Sequence, residues 1–361
     1  MEKYRVGIVG ATGMVGQRFI SLLKDHPWFE VNCVAASARS AGKTYREAVG
    51  ERWAFAWEIP EKVAGMTVVD AADIDEVSKH VDFVFCAVDM KKDEIRALEE
   101  AYAKHEIPVV SNNSACRGIE DVPMVVPEIN ADHLAVIEAQ KKRLGTKNGF
   151  IAVKPNCSIQ SCVPALTPLL DFEPEKVSVC TYQAISGAGK TFKTWPEMVD
   201  NVIPYIGGED EKSENEPLKL WGHVEDGKIV NATLPVISAQ CLRVACSDGH
   251  MAAVSVSFKK KPTIEQIKER WANYETEAQR LELPSAPKPF LQYFEDPSRP
   301  QTRLDRDFQN GFGVSIGRLR EDKLFDYRFV CLSHNTVRGA AGGGILTAEL
   351  LCRKGYIPHR V

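Results

Sequence analysis

The chain lacks the features that would place it in a membrane, a secretory pathway or on a nucleic acid. No apolar run approaches the roughly 20 residues that cross a bilayer. The N-terminus enters a strand at Tyr4 almost at once, so neither a membrane anchor nor a secretory leader is expected. No C-x-x-C pair occurs among the ten cysteines. In a long chain without a leader, scattered cysteines read as reduced thiols of the cytoplasm, not as disulfides or a zinc site, and no metal is expected. An excess of one charge is missing too: the formal net charge is -4, and the only basic run is Lys259-Lys260-Lys261. That excludes a nucleic-acid footprint, and the triplet reads as a strand ending in water. No repeat or low-complexity tract interrupts the chain. What remains is 361 residues, 44% hydrophobic and 26% charged, with ample material for a core and a length that suggests two domains.

The first half has a β-α-β rhythm. Tyr4 to Val9 is a short apolar run, followed by Gly10-Ala-Thr12-Gly13-Met14-Val15-Gly16 and a helical stretch from Gln17 to Lys24. A glycine motif between a strand and a helix suits a dinucleotide, because the backbone approaches the pyrophosphate and the helix N-terminus meets its charge; a structural tight turn is the alternative. The next strand, Glu30 to Ala36, runs into Ser37-Ala-Arg39-Ser40-Ala-Gly-Lys43 with no carboxylate where an NAD site usually has one. Ser37, Arg39 and Lys43 instead suit a 2′-phosphate, so NADP is preferred over NAD, against a solvated basic loop as the bland reading. Strands are also expected at Met66 to Val69, Val81 to Ala87 and Pro108 to Ser111, and helices at Asp93 to Lys104 and Ala131 to Leu144. Trp53, Phe55 and Trp57 read as a strand or loop on the sheet edge. The pattern predicts a doubly wound parallel sheet, with Ala87 and the Ser111 to Arg117 segment at the strand ends where ligands bind. Arg117 is an anion binder or a surface ion pair.

The second half is organised around Val153-Lys-Pro-Asn156-Cys157-Ser. A helix is expected from Ser158 to Leu170, with a kink or a late start at Pro164. Its N-terminal N–H groups and dipole would favour the Cys157 thiolate, the form that does covalent chemistry. A buried structural cysteine is the alternative. Val177 to Ile185 alternates as a strand and ends in the turn Ser186-Gly187-Ala-Gly189. Glu209 to Leu220 is charged and helical unless Pro217 interrupts it, with Glu209 and Lys212 on one face. Arg243 precedes a turn at Ser247 to Gly249, and His250 starts the returning strand. A lone His there is more often structural, but beside a candidate thiolate it becomes the natural acid/base partner. A helix is expected from Ile264 to Leu281, a loop from Pro284 to Thr302, and a hairpin from Gly313 to Leu319 and Leu324 to Cys331. The glycine-rich Asn335 to Gly344 stretch precedes the last helix and suits a phosphate or cofactor edge. Gly145 to Gly149 is the expected hinge, giving domains 1–149, completed by 335–361, and 150–334.

Taken in order, G-A-T-G-M-V-G, S-A-R-S-A-G-K, S-N-N-S-A-C-R, V-P-E-I-N, P-N-C-S, T-Y-Q-A-I-S-G-A-G, R-V-A-C-S-D-G-H and N-T-V-R-G-A-A-G-G resemble the aspartate-semialdehyde dehydrogenase family over essentially the whole chain. Asn113 with Cys116, the short Glu209 to Glu214 segment and the Asp before Gly249 look like its fungal and archaeal branch. The resemblance implies a Rossmann-type domain plus an α+β catalytic and dimerisation domain with a large mixed sheet, in a homodimer or homotetramer. It implies NADPH-dependent reduction of aspartyl-4-phosphate to aspartate-4-semialdehyde and phosphate, a step feeding lysine, threonine, methionine and isoleucine. By resemblance Cys157 is the nucleophile, Gln183 orients the acyl group and His250 is the acid/base. Arg243 binds the substrate carboxylate, Glu209 its amino group, and Arg117 with Lys212 the phosphate. Gly10, Thr12, Gly13, Met14, Val15, Ser37, Arg39, Ser40 and Ala87 hold the cofactor, and Ser186, Gly187 and Asn335 lie at the nicotinamide. Rival readings are another acyl-phosphate or acyl-thioester reductase, such as N-acetyl-glutamyl-phosphate reductase or malonyl-CoA reductase, a non-catalytic NADP sensor, or a thiol hydrolase.

Overall fold

A computed structural model describes residues 2–359. Six short apolar runs form the first sheet: β1 (Tyr4–Val9), β2 (Phe29–Ala36), β3 (Val69–Asp70), β4 (Phe83–Cys86), β5 (Val109–Ser111) and β6 (Ile151–Val153). Every residue of β4, β5 and β6 is buried, so these strands need cover on both faces, which helices beside a parallel sheet provide. All the pairings are parallel, in the order β3-β2-β1-β4-β5-β6. The order reverses between β1 and β4, where such sheets open a ligand crevice. Helices Met14–Leu23 and Lys92–Lys104 follow β1 and β4. The last helix, Gly342–Arg353, packs Ile345, Leu346 and Leu350 with Phe19, Ile8 and Phe85. β6 follows the Gly145 to Gly149 turn and still belongs to this sheet.

The second sheet is mixed: β13-β14-β15-β12-β7-β11-β8. Its strands are β7 (Pro174–Gln183), β8 (Val202–Ile203), β11 (Val236–Val244), β12 (His250–Phe258), β13 (Leu291–Phe294), β14 (Val314–Glu321) and β15 (Tyr327–Ser333). The short strands β9 (His223–Glu225) and β10 (Lys228–Val230) pair separately. β12 buries alternate residues, the period-2 signature of a sheet with one face on a core. That core joins Val179, Val254, Ile316 and Phe329 to Trp271 of the Ile264–Ala272 helix.

Three helix expectations change and a fourth is met. The helix expected from Ser158 to Leu170 is three short pieces: a 3-10 turn at Cys157–Ile159, a helix at Cys162–Leu166 and a 3-10 run at Thr167–Phe172. Pro164 and Pro168 lack the N–H that a continuous helix needs, and their rings crowd the preceding turn. Ile264 to Leu281 is two helices, the second starting at Glu277 with its own capping box from Thr276 to Gln279. Ala131 to Leu144 starts as a 3-10 run and becomes α-helical at Ile137. Pro217 does not interrupt Glu209–Leu220, which runs as one helix.

One buried ion pair ties distant motifs together. Arg338, of N-T-V-R-G, donates from Nη1 and Nη2 to Glu128, of V-P-E-I-N, at 2.8 and 3.1 Å, and its guanidinium lies 4.4 Å from the Phe290 ring. Both side chains are essentially closed to solvent. Removing one partner leaves the other charge buried and unpaired. Glu128→Ala is therefore expected to cost about 3–5 kcal/mol in denaturant unfolding; a loss below about 1 kcal/mol, the size of a surface pair, would contradict this.

Candidate active site

The sheets bring their ends together around Cys157. It follows β6 directly, so the first sheet fixes where the thiol enters, and its turn is anchored from the second half. The Asn156 side chain donates to Glu209 at 2.8 Å, and its backbone N–H donates to Glu216 at 2.5 Å. The neighbouring Ser158 hydroxyl bonds that of Ser213 at 2.8 Å. Glu209, Ser213 and Glu216 recur at helical spacing on Glu209–Leu220, so one buried polar stripe holds the turn. Glu216 also accepts from Arg117 at 2.9 Å, while Lys219 donates to the carbonyls of Arg117, Ile119 and Val122 at 2.7, 2.7 and 3.0 Å. The spacing 209, 213, 216, 219 was the available signal for this stripe; only Glu209 and Lys212 stood out in the sequence.

Arg117, Cys157, Ser186, Gly187, Asn335 and Val15 line one cavity of about 180 Å³, together with Asn112, Lys154 and Asn156. Val15 brings the first glycine turn to the thiol. Asn335 donates to the Ser186 hydroxyl at 2.8 Å and accepts from the Gly249 N–H at 2.8 Å, locking the turn before His250 to the Ser186 turn. Close packing closes the rear: a Cβ on Gly339 would come within 2.8 Å of the Cys157 Cβ. Part of the glycine-rich stretch expected at a phosphate therefore makes room for the thiol.

Gln183, Glu209, Arg243 and His250 form a layer behind the Ser186 turn and do not line that cavity. Gln183 and Arg243 are register partners on β7 and β11. Arg243 donates to the Ala184 carbonyl at 2.7 Å. His250 Nδ1 accepts from the Ala184 N–H at 3.1 Å, leaving Nε2 buried without a partner. Nε2 and the Arg243 guanidinium both lie against Gly187, where a Cβ would come within 2.9 Å of each. Gln183 faces Glu209 at 3.4 Å, and Lys212 pairs with Glu209 at 3.0 Å.

The electrostatics differ from a thiolate poised at a helix end. The turn at Cys157 is three residues long, too short for a developed dipole. Burial, then the Glu209 carboxylate, push the thiol up, against Lys154, Arg243 and Arg117, which pull it down. Burial, then Arg243, push His250 down to about 3, so its ring is neutral in the ligand-free site. Burial raises Glu209, but the Asn156 hydrogen bond and Lys212 outweigh it and hold the carboxylate below the usual range.

The first glycine turn fits a dinucleotide. Gly10 has φ +90, and a Cβ there would come within 2.3 Å of the Ala87 carbonyl, so the backbone turns tightly against β4. Gly13 caps Met14–Leu23 without a side-chain bond, and no acid sits in the first turn, which leaves N–H groups for an anion. Thr12 closes the turn by accepting from Gln17 at 3.0 Å. Ser37 and Arg39 are exposed, Ser40 is buried, and Arg39 makes no ion pair among the described residues. No cluster able to hold a metal occurs among the described residues.

Two family models match: "Semialdehyde dehydrogenase, NAD binding domain" over residues 5–137 and "Semialdehyde dehydrogenase, dimerisation domain" over 166–338. The chain is 43% identical to the aspartate-semialdehyde dehydrogenase of Aspergillus fumigatus, over 98% of this chain and 99% of the relative. It is 45% identical to that of Schizosaccharomyces pombe, over 98% and 99%, and 43% identical to that of Archaeoglobus fulgidus, over 98% and 100%. Among solved structures, the Candida albicans aspartate semialdehyde dehydrogenase with NADP superposes with a TM-score of 0.89 at 39% identity, covering 99% of this chain and 100% of that one.

The depressed His250 pKa makes a prediction about stability. The unfolded imidazole takes up a proton near pH 6.5, while the folded one resists to about pH 3. Stability is thus full above pH 6.5 and lost as pH falls through that value. His334, lowered to about 4 by burial, acts in the same direction. His250→Gln is expected to remove its share, about 2 kcal/mol of the loss between pH 7.5 and pH 5. Denaturant midpoints at the two pH values measure it, and equal losses in both proteins would contradict it.

Proposed function

Since this chain belongs to the aspartate-semialdehyde dehydrogenase family, we propose that the Cys157 cavity is where aspartyl-4-phosphate is reduced to aspartate-4-semialdehyde with release of phosphate. The observation that carries this assignment is the single cavity lined by Cys157, by Arg117 and by Val15 of the dinucleotide turn. The Cys157 thiolate attacks the acyl carbon, a C–S bond forms, the C–O bond to phosphate breaks, and a thioester remains on the protein. Arg117, with its buried Nε unpartnered, receives the phosphate, and Lys212 adds charge nearby. Arg243 takes the substrate carboxylate and Glu209, ionised despite burial, its ammonium, so the two ends of a zwitterion are held apart. Gln183 orients the acyl group. A reduced nicotinamide, when bound beside the Ser186 turn, would supply the hydride. His250, with its proton on Nε2, donates a hydrogen bond to the oxygen that then becomes negative, and exchanges the proton as the C–S bond breaks.

The cofactor is NADP, held by Gly10, Thr12, Gly13, Met14 and Val15 at the pyrophosphate and by Ser37, Arg39 and Ser40 at the 2′-phosphate. Ala87 walls the crevice, and Ser186, Gly187 and Asn335 lie at the nicotinamide. The cofactor unit comprises residues 1–149 with 335–361, its sheet completed by β6 (Ile151–Val153) just past that boundary, and the catalytic and dimerisation unit the rest of 150–334. A homodimer or a tetramer of two dimers is supported by apolar side chains left exposed on and beside the second sheet's β8–β11 edge: Val199, Val202, Tyr205, Leu234 and Val236. The ten free cysteines suit the reducing cytoplasm.

The test is oxidation of aspartate semialdehyde with phosphate and NADP, repeated with NAD. Turnover that favours NADP is expected, and Cys157→Ser should lose at least about a thousandfold while still binding NADPH. Activity retained in that variant, or equal use of NAD, would contradict the respective assignment.

A further inference from the structure

The partly buried, cavity-lining thiol poses a charge problem that the residues assigned so far do not solve. A thiolate at Cys157 has no developed helix dipole behind it, and the His250 imidazole behind the Ser186 turn is neutral. The charged groups around it are Glu209, which opposes ionisation, and Lys154, Arg243 and Arg117, which favour it. Arg117 is neutralised by Glu216 at 2.9 Å, and Arg243 lies behind Gly187, bonded to the Ala184 carbonyl. Lys154 stands apart. It is 2% exposed and lines the same cavity as Cys157. Its ammonium donates to the Pro155 carbonyl at 2.5 Å and to that of Gly339, the residue packed on the Cys157 Cβ. No carboxylate pairs with it among the described residues, so its charge is not cancelled on contact. A buried ammonium on carbonyls alone is costly unless an anion forms nearby.

We infer that Lys154 is the charge partner of Cys157, a positioning residue whose ammonium, fixed on the Pro155 and Gly339 carbonyls, creates the positive field in which the thiolate forms. The inference rests on Cys157 being the nucleophile and adds a residue to that chemistry. In the ligand-free site, loss of one proton from the pair is shared between two arrangements, thiol with amine and thiolate with ammonium, so the two groups titrate jointly. The groups facing Lys154 are Cys157, Glu216, Arg117 and Arg338, and, beyond the Gly187 turn, His250. Burial, then Arg117, draw its ammonium down to about 7, while Cys157 and Glu216 oppose the shift. Lys154 thus gives up its charge more readily than a surface lysine, and it holds that charge best when the thiolate is present.

The test is alkylation of Cys157 by iodoacetamide, resolved by mass spectrometry from the other thiols, across the neutral and alkaline range. Lys154→Gln keeps a hydrogen-bond donor without the charge, Lys154→Met removes both, and Lys154→Arg keeps the charge. The Gln and Met variants are expected to raise the reactivity midpoint by about one pH unit, a roughly tenfold slower rate near pH 7, with Arg close to the parent chain. NADPH binding in each variant verifies its fold. A purely structural lysine would leave the midpoint in place, and unchanged midpoints in folded Gln and Met variants overturn the inference. If Cys157 of the parent chain is neither labelled preferentially nor protected by aspartate semialdehyde, the nucleophile assignment fails instead.

Discussion

Glu216 carries two obligations at once. One carboxylate oxygen accepts the Asn156 N–H, one residue before the thiol, and the other accepts the Arg117 guanidinium. Asn156 is reached from β6, Arg117 from the loop after β5, and Glu216 sits on the helix between β8 and β9. A single side chain from the second half thereby fixes the distance between Cys157 and Arg117, both of which follow strands of the first sheet. Lys219, one turn further on, holds the Arg117 loop by three carbonyls. The helix bearing both residues works as a ruler: its axial repeat sets which backbone groups meet which side chains.

The same burial that fixes the geometry also restrains the chemistry. In a dry site a lone thiolate, an imidazolium and an unpaired ammonium are all costly. The directions agree: the thiol is pushed up, and His250 and Lys154 are pushed down. Each shift favours the neutral form when nothing is bound. An anionic substrate and cofactor would favour the charged forms of Lys154 and His250, while a nearby anion does not itself favour the thiolate.

Much of the fold was legible in the sequence because its causes are local. The fully apolar runs at β4 and β5 call for a sheet covered on both faces, and the alternation in β12 calls for one with a single buried face. The glycine turn after β1 announced the crevice. The piece after Cys157 was harder to read, because Pro164 and Pro168 break what its apolar content suggests is one helix. Within the site, Cys157, Arg117, Gly187 and Asn335 were visible as motif residues and do share one cavity. Glu216 and Lys154 were not, since their importance lies in contacts with residues 60 and 99, or 185, positions away along the chain. A charged residue on a helix reads as solvated until the fold shows which face is buried.

The assignment depends on an acyl group resting on the Cys157 sulfur. The most direct measurement is to mix the protein with aspartate semialdehyde and NADP in the absence of phosphate, quench in acid and map the labelled peptide by mass. Oxidation of the aldehyde on the thiol should then stop at the thioester, with one aspartyl group on Cys157 for each NADPH formed in the first turnover, released when phosphate is added before the quench. A burst of NADPH with no adduct, or an adduct on any other residue, would contradict the account.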